Sequence, residues 1–354
     1  MQAELDYAPP GALERLPKWL ICIPLTMQWL WLTLRYRSAT LPSTANPGIT
    51  AGGLVGEGKL EYFSGMGALA RAATARFCSV RTATRPTPAQ LLQCLADAGL
   101  DFPIIAKPDL GLCGYGVRLV SDMAQLLQYC AGFPANETIV LQEYLPQPGE
   151  AGVFYARHPD YPHGTIIGLA LREFAQVTGD GRRNVADLIA ADPRSRRAAT
   201  SAQHECRVPM HQIPAPGEVV RLSTVGSTRV GGLYRNGEQW ITPALSSAID
   251  AIALDMPTFH FGRFDIRYNS LRELGTGCGF TIMEINGAGS EAIQAWDPAI
   301  SLRTGLRMIF SKQRLLFAIG ASMRKRGVRP IGLLALARLN QRQLRLIAQY
   351  PPSN

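Results

Sequence analysis

Apolar and polar positions vary along the chain in two ways, which predict strands in its middle and helices around them. Short apolar or alternating runs predict strands at 102–107, 117–120, 138–143, 152–157, 165–171, 262–268 and 280–285. Helical spacing and capping residues predict helices at 59–76, 88–98, 121–131 and 242–255, and through most of 298–354. Gly, Pro and polar residues predict a loop at 38–58 and an irregular, partly helical insert at 179–216. Helices mixed with hairpin-like strand pairs favour an α+β fold over a doubly wound parallel sheet.

An apolar stretch of sixteen uncharged residues, Trp19–Leu34, lies near the N-terminus. It is shorter than the roughly 20 residues that a spanning helix needs. Acidic residues before it make a signal peptide a poor match. Two interpretations remain open. The first is a helix buried against the main core. The second is a helix in a membrane interface, with aromatic side chains at headgroup level and arginines beyond them: Trp19, Trp29, Trp31, Tyr36, Arg35 and Arg37.

Positive charge is concentrated at the C-terminal end of the chain. The formal net charge is +9, yet no acidic residue follows Asp297, and residues 298–354 contain eleven Lys and Arg. The rest of the chain is nearly neutral, so a nucleic-acid surface along the whole protein is not indicated. The basic segment is interpreted either as a contact for anionic surfaces or as a helical cap on an acidic face of the body.

Length and cysteine content narrow the class of protein. A chain of 354 residues is long enough for two or three structural units, and 47% hydrophobic residues exclude general disorder. Seven cysteines occur without a CxxC pair or a Cys/His cluster, which argues against structural zinc and a disulfide framework. A reducing cytoplasm is therefore the expected location.

Two late strands each carry a polar face. In 262–268, Arg263, Asp265 and Arg267 alternate with apolar residues, and in 280–286, Glu284 and Asn286 do the same. If these strands pair, carboxylate and amide oxygens converge, and such oxygens suit Mg²⁺ together with phosphate. The alternative is a solvated sheet face with Asp–Arg pairs.

A second candidate site begins at Lys107, which ends a predicted strand. A loop with Gly111, Gly114 and Gly116 follows, and glycines let backbone N–H groups approach an anion. The order of residues fits neither a Walker A motif nor a dinucleotide fingerprint, and a Gly-rich hairpin turn is the alternative. A third feature is the predicted strand that ends at Glu143 and continues into Tyr144, Leu145 and Pro146. Glu150 follows and is expected in a loop.

The order of these motifs, IAKP, the Gly-rich loop, QEYL, GRFDIR and MEINGAGSE, resembles the ATP-grasp superfamily over about residues 100–300. It is most similar to the carboxylate–amine ligases of that group, such as D-alanine–D-alanine ligase. The resemblance implies an α+β fold whose two lobes clamp ATP. It also implies a role for each motif. Lys107 would contact the α- and β-phosphates, and Gly111–Gly116 would close over them. The adenine edge would be read by Glu143, Tyr144 and Leu145, and the ribose hydroxyls by Glu150. The Mg²⁺ ligands would be Asp265, Glu284 and Asn286, and Arg263 would stabilise the acyl phosphate and the tetrahedral intermediate.

The sequence departs from the family pattern at three places. The roughly 100 residues before Lys107 lack the βαβ signals of the usual N-terminal domain. The family's first phosphate lysine has no clear counterpart: Lys59 is the only lysine between Lys18 and Lys107, and the sequence alone does not align it with that position. Arg221 and Arg229 are candidates for a γ-phosphate contact, although a solvated arginine is slightly favoured at both positions.

Together these features predict an ATP-dependent ligase that activates a small carboxylate as an acyl phosphate and joins it to an amine, using ATP and Mg²⁺ or Mn²⁺. The alternatives are a small-molecule kinase with the same ATP site and a non-catalytic protein that binds a membrane surface or nucleic acid. Nucleic acid is an unexpected partner, whereas a peripheral contact at the inner face of the membrane and a homodimer stay open. The expected units are an apolar N-terminal region, a shortened helical region, the ATP-grasp core and the basic helical segment: 1–58, 59–100, 101–297 and 298–354.

Overall fold

The computed structural model describes residues 11–201 and 204–354, so the part of the predicted N-terminal unit before residue 11 lies outside the described residues. The strands are β1 Phe77–Arg81, β2 Ile104–Pro108, β3 Arg118–Val120, β4 Thr138–Glu143, β5 Gly149–Ala156, β6 Thr165–Glu173, β7 Gln176–Thr178, β8 Val219–Arg221, β9 Leu233–Asn236, β10 Phe261–Tyr268 and β11 Phe280–Asn286. The helices are α1 Ala12–Arg15, α2 Lys18–Tyr36, α3 Lys59–Ser64, α4 Ala68–Ala72, α5 Pro88–Asp97, α6 Met123–Ala131, α7 Val185–Ala191, α8 Arg196–Thr200, α9 Pro243–Leu254, α10 Leu271–Gly275, α11 Leu302–Lys325 and α12 Leu333–Ile347.

Two antiparallel sheets organise the described residues. The first has the strand order β1-β4-β2-β3, and the second has the order β11-β10-β5-β6-β9. A two-stranded ribbon, β7-β8, carries the insert. Every ladder in these sheets is antiparallel, and helices occur between the strands along the chain, so the α+β prediction is confirmed.

The first sheet packs against α5, α6 and the end of α12. Its core contains apolar residues from all three helices, including Leu91, Leu126 and Leu346. The chain end continues this packing, because the side chain of Asn354 pairs with the backbone of Leu119 on β3. The C-terminal helix α12 is thus part of the same packed unit as the first sheet.

The second sheet buries one face against α3, α4 and α9. Phe264 and Ile266 of β10 point into this core and are fully buried. Alternation then places Asp265 and Arg267 on the opposite face, where both are also almost completely buried. The polar face is therefore enclosed, which excludes the alternative of a solvated sheet face.

Local signals account for several element boundaries. Helix α6 begins at Met123, two residues later than the predicted start at 121, because the side chain of Asp122 accepts a hydrogen bond from the Gln125 N–H at 2.8 Å. The predicted helix at 59–76 is interrupted by Gly65 and Gly67 and forms two shorter helices, α3 and α4. Strands β1, β7, β8 and β9 were not predicted, because each is short, with three to five residues.

Helix α2 packs on the protein along one side only. Ile21 and Leu32 are its buried residues, and its neighbour is α11. No helix in the described part of the chain has the length and apolar character to cross a membrane.

Candidate active site

A cleft of about 410 Å³ lies between the two sheets and brings the predicted site residues together. One wall comes from β2, β4 and the loop after β2, and the other from the polar face of the second sheet. Gly116 and the two candidate arginines, Arg221 and Arg229, are not among the lining residues. The other predicted residues all line this cleft: Lys107, Gly111, Gly114, Glu143, Tyr144, Leu145, Glu150, Arg263, Asp265, Glu284 and Asn286. Gly116, at the end of the loop, packs against Pro108 instead: a Cβ at this position would approach the Pro108 side chain to 2.8 Å.

Two lysines meet at one corner of the cleft. Lys107 ends β2, and its ammonium donates to Oε1 of Gln142 at 2.6 Å and to the carbonyl of Met283 at 3.0 Å. Lys59 begins α3, and its ammonium lies 3.3 Å from Oε1 of Glu284. Lys59 is the upstream lysine that the sequence could not align. Lys59 pairs with a carboxylate, whereas Lys107 contacts only neutral oxygens, so its charge favours an anionic ligand.

The pKa values at this corner reflect burial and mutual charge. Burial lowers the pKa of Lys107 to about 8, an effect that Lys59 reinforces and Glu284 opposes. Burial alone would raise the pKa of Glu284, but Lys59 and Lys107 outweigh it and hold that pKa below its usual value. A bound phosphate would favour the charged form of both lysines.

The strand register determines the position of the acidic residues. In the β10–β11 pair, Asp265 lies opposite Glu284 and Arg263 lies opposite Asn286, with a bulge after Asp265. This is the convergence expected from the sequence. It puts two carboxylates and an amide on one face at the lysine corner.

Asp265 is the most heavily bonded of these groups. It accepts hydrogen bonds from Nε and Nη2 of Arg263 at 2.5 and 2.9 Å, and from Nδ2 of Asn286 at 3.1 Å. Nη2 of Arg172 lies 2.8 Å from its Oδ1. Although burial would raise the pKa of Asp265, Arg172 and Arg263 lower it. The four contacts occupy the approximately four lone-pair positions of a carboxylate.

Arg172 is a site residue that the sequence analysis missed. It lies on β6, one position beyond the predicted strand end, and it bridges Asp265 to Glu150, whose Oε1 is 3.0 Å from Nη1. Arg267 reaches the other oxygen of Glu150 at 3.3 Å. Glu150 was expected in a loop, but it belongs to β5 and is buried. The sequence signal for Arg172 was the strand pattern of β6: extending the predicted strand from 171 to 173 would have placed Arg172 on it.

The Gly-rich loop is held from across the cleft. Cys113, Gly114 and Gly116 have positive φ values of 48°, 75° and 73°. Arg229 donates to the carbonyl of Cys113 at 3.3 Å, and its guanidinium carbon lies 4.2 Å from the centroid of the Tyr115 ring. Arg229 is therefore not a solvated arginine, and burial lowers its pKa.

Arg221 is likewise not solvated. Its guanidinium carbon lies 3.3 Å from the centroid of the Phe174 ring, and its Nε donates to the carbonyl of Ser223 at 2.7 Å. Burial lowers its pKa to about 10. It therefore orders the segment opposite the loop.

Glu143 occupies the outer end of the cleft. Its carboxylate pairs with Arg76, with Nη2 and Oε1 3.1 Å apart, and that contact lowers the pKa of Glu143. Tyr144 and the buried Leu145 continue the wall toward β5.

A loop before α3 closes the cleft on a further side. Asn46 anchors it: the amide donates to the carbonyl of Phe261 at 2.8 Å, and its oxygen accepts from the N–H groups of His260 and Phe261. Gly53 approaches β11 so closely that a Cβ would lie 2.6 Å from Cα of Gly287. The short N-terminal region thus contributes a fixed wall.

Glu57 projects from this loop into the cleft. Within residues 11–201 and 204–354, no hydrogen-bond partner reaches its Oε2. Burial raises the pKa of Glu57 to about 7, and Glu61 and Glu284 act in the same direction, against Lys59. It is a carboxyl group that can change charge near neutral pH.

No family model matches the chain, and no curated protein matches it. Among solved structures, it is similar to a D-alanine–D-alanine ligase from Bacillus anthracis, with 14% identity, TM-score 0.42, and coverage of 79% of this chain and 71% of that one. A D-cycloserine synthetase matches at 11% identity and TM-score 0.40, over 74% of this chain and 70% of that one.

A bifunctional glutathione synthetase from Pasteurella multocida matches at 15% identity and TM-score 0.37, over 72% of this chain. The match spans only 35% of the length of that enzyme. At these TM-scores the similarity is too low to assign an activity, which therefore depends on the site itself.

Proposed function

We propose that this protein is an ATP-dependent ligase that joins a small-molecule carboxylate to an amine. The observation that carries the proposal is the corner where Lys59 and Lys107 meet the Asp265, Glu284 and Asn286 side chains beside a Gly-rich loop. Cations, a flexible loop and oxygen ligands within one enclosed cleft are the elements that phosphoryl transfer from a nucleotide requires.

In this proposal, the triphosphate binds between the two lysines and the Gly-rich loop. The adenine lies toward Glu143, Tyr144 and Leu145 at the other end of the cleft. The enclosed wall strengthens each lysine–phosphate interaction, because water is largely excluded there.

A substrate carboxylate oxygen attacks the γ-phosphorus, and the bond from that phosphorus to the bridging oxygen of ADP breaks. The products of this step are ADP and an acyl phosphate. An amine nitrogen then attacks the acyl carbon, the C–O bond to phosphate breaks, and the nitrogen loses protons to give an amide and free phosphate. Arg263 is the cation placed to bind the oxyanion charge that develops.

The donor set fits Mg²⁺ or Mn²⁺, which prefer carboxylate and amide oxygens combined with phosphate oxygens. Such an ion, when bound, neutralises charge on the phosphates. In the described part of the chain, no group of three His, Cys, Asp or Glu side chains could hold a metal by itself. Glu284 and Asn286 would hold the ion, and Asp265 would do so only if its carboxylate were released from the Arg263 contact.

The contacts of Glu150 restrict its proposed role in binding the ribose hydroxyls. Both of its oxygens face arginines, so a ribose hydroxyl would have to donate to a lone pair that these arginines leave. A homodimer, a cytoplasmic location and the exclusion of nucleic acid stay predictions.

A screen of ADP release tests the proposal. Carboxylic acids are supplied one at a time with ATP and Mg²⁺, each with and without a panel of amines. We expect an acid and amine pair to give ADP, free phosphate and an amide in equal amounts. A stable phosphorylated product without free phosphate would replace the ligase with a small-molecule kinase.

A further inference from the structure

The outer side of α2 is a continuous apolar surface that the cleft does not explain. Seven large side chains are exposed on it: Trp19, Leu20, Ile23, Met27, Leu30, Trp31 and Leu34. At 100° per residue they fall within about a third of the helix circumference. Single exposed apolar residues are ordinary, but a contiguous apolar strip on a helix of 19 residues marks an interaction site.

The other side of α2 is firmly packed, so the exposure does not come from a loosely placed helix. The side-chain amide of Gln28 donates to the carbonyl of Phe310 on α11 at 2.8 Å. Trp29 donates to the carbonyl of Ala39 and packs edge-on against Phe317 with ring centroids 4.9 Å apart. Of the aromatic residues expected at headgroup level, Trp29 and Tyr36 therefore face inward.

The surroundings of this face are basic. Lys18 begins α2, and Arg35 and Arg37 mark its end. Arg35 lies over the exposed Trp31 ring, 5.4 Å from its centroid. No carboxylate occurs within α2.

The neighbouring helix α11 adds to this charge. Arg303, Arg307 and Arg314 are exposed, and their spacing of four and seven residues puts them on one face. Arg307 directly follows Leu306, which packs in one cluster with Ile21 of α2. Arg314 lies one helical turn before Phe317, which packs against Trp29 of α2. The arginines thus flank α2.

The positive charge around α2 indicates which partner its apolar surface binds. A second copy of the chain would bring the same cations against themselves, which disfavours a dimer through α2. An anionic bilayer offers apolar acyl chains for the exposed strip and negative headgroups for the flanking arginines.

We propose that α2 is a membrane-docking helix, which lies in the headgroup region of an anionic bilayer with Trp19, Met27, Leu30, Trp31 and Leu34 inserted. The arginines of α11 contact the phosphate groups beside it. This binding is independent of the ligase proposal and requires no nucleotide.

The experiment uses the full chain and vesicles of phosphatidylcholine, with or without phosphatidylglycerol. We expect sedimentation with the anionic vesicles, at least tenfold weaker binding to the neutral ones, and a decline as salt is raised. Tryptophan emission should shift to shorter wavelength on binding, because Trp19 and Trp31 leave water.

Two sets of variants separate the apolar and basic parts. The double variant L30E/W31E should bind at least tenfold more weakly, whereas L92E, which also charges an exposed leucine but on α5, should bind like wild type. The triple variant R303Q/R307Q/R314Q should lose binding at low salt. Its matched control, R85Q/R182Q/R196Q, removes three exposed arginines elsewhere and should retain binding. Circular dichroism and an unchanged Tm confirm that each variant folds.

Three results would overturn the proposal. The first is equal binding to neutral and anionic vesicles, and the second is full binding by folded L30E/W31E. The third is a homodimer that L30E/W31E dissociates, together with no vesicle binding by wild type, because a second copy would then be the occupant.

Discussion

Lys59 and Glu284 form an ion pair, 3.3 Å apart, between the start of α3 and the end of β11, and this pair lies beside the buried Lys107. The pairing joins the short N-terminal region to the second sheet at the point where phosphates are expected. Lys59, which the sequence could not align with the family's first phosphate lysine, thus lies at the same corner of the cleft as Lys107.

Replacing either lysine should weaken ATP binding. For Lys107→Ala and Lys59→Ala we expect the ATP KM to rise at least tenfold, about 1.4 kcal/mol, because each removes a cation from a poorly solvated phosphate site. Calorimetric titration with ATP measures the loss directly. Lys325→Ala, which removes an exposed lysine at the end of α11, is the control and should leave the affinity unchanged. Unchanged ATP binding by folded Lys107→Ala would exclude that residue from the phosphate site.

The sequence predicted local features of this site better than its long-range contacts. Asp265, Glu284 and Asn286 were expected to converge because strand alternation and hairpin pairing are local rules. Lys59 and Arg172 were missed as partners of these residues, because their contacts join segments far apart in the chain.

Two arginines for which the sequence favoured a solvated side chain show the same limit, because long-range contacts decide their environment. Arg221 and Arg229 lie on aromatic rings, and only the fold determines which rings are near them. The wall built by the segment from Asn46 to Glu57 also depends on tertiary contacts, which composition alone predicts only as a loop.

Arg172 should be the main source of stability on the polar face. Arg172→Ala leaves Asp265 and Glu150 buried with one cation fewer, so we expect a loss of about 3 kcal/mol in the free energy of unfolding. Glu173→Gln, next to it on β6, breaks an exposed pair with Arg235 and should cost less than about 1 kcal/mol. Urea denaturation measures both. Equal effects of the two variants would contradict a buried network.

Glu57 should make the stability of the unliganded protein depend on pH. Its pKa is about 7 in the folded chain against 4.5 for the ordinary group, so the folded state favours the protonated form. The stabilisation is fully present below pH 4.5 and is lost as pH rises through 7. By linkage, the loss is on the order of 3 kcal/mol.

Glu57→Gln should remove this dependence, because the amide keeps the shape of the neutral carboxyl group. The measurement is the difference in unfolding free energy between wild type and variant at several pH values from 4.5 to 8.5. A difference that stays constant over this range would show that folding does not raise the pKa of Glu57.

The metal and the nucleotide should bind together. Asp265 already accepts contacts from Arg263, Arg172 and Asn286, and Glu284 pairs with Lys59, so an ion without ATP must compete with cations for its ligands. Mg²⁺ also dehydrates reluctantly and relies on substrate phosphates. We therefore expect Mg²⁺ alone to bind weakly in calorimetry and at least tenfold more tightly in the presence of a non-hydrolysable ATP analogue.

Removing charge from the ligands should abolish this coupling. Glu284→Gln and Asp265→Asn keep the side-chain shape, so we expect kcat to fall at least a hundredfold while the circular dichroism spectrum is unchanged. Glu173→Gln, at the exposed end of β6 in the same sheet, should retain both kcat and the coupling. With a true acid substrate labelled with ¹⁸O, one labelled oxygen should reach free phosphate, because the acyl-phosphate oxygen originates in the acid. Full activity of Glu284→Gln would exclude that residue as a ligand, and phosphate without label would exclude the acyl-phosphate step while leaving the ATP site in place.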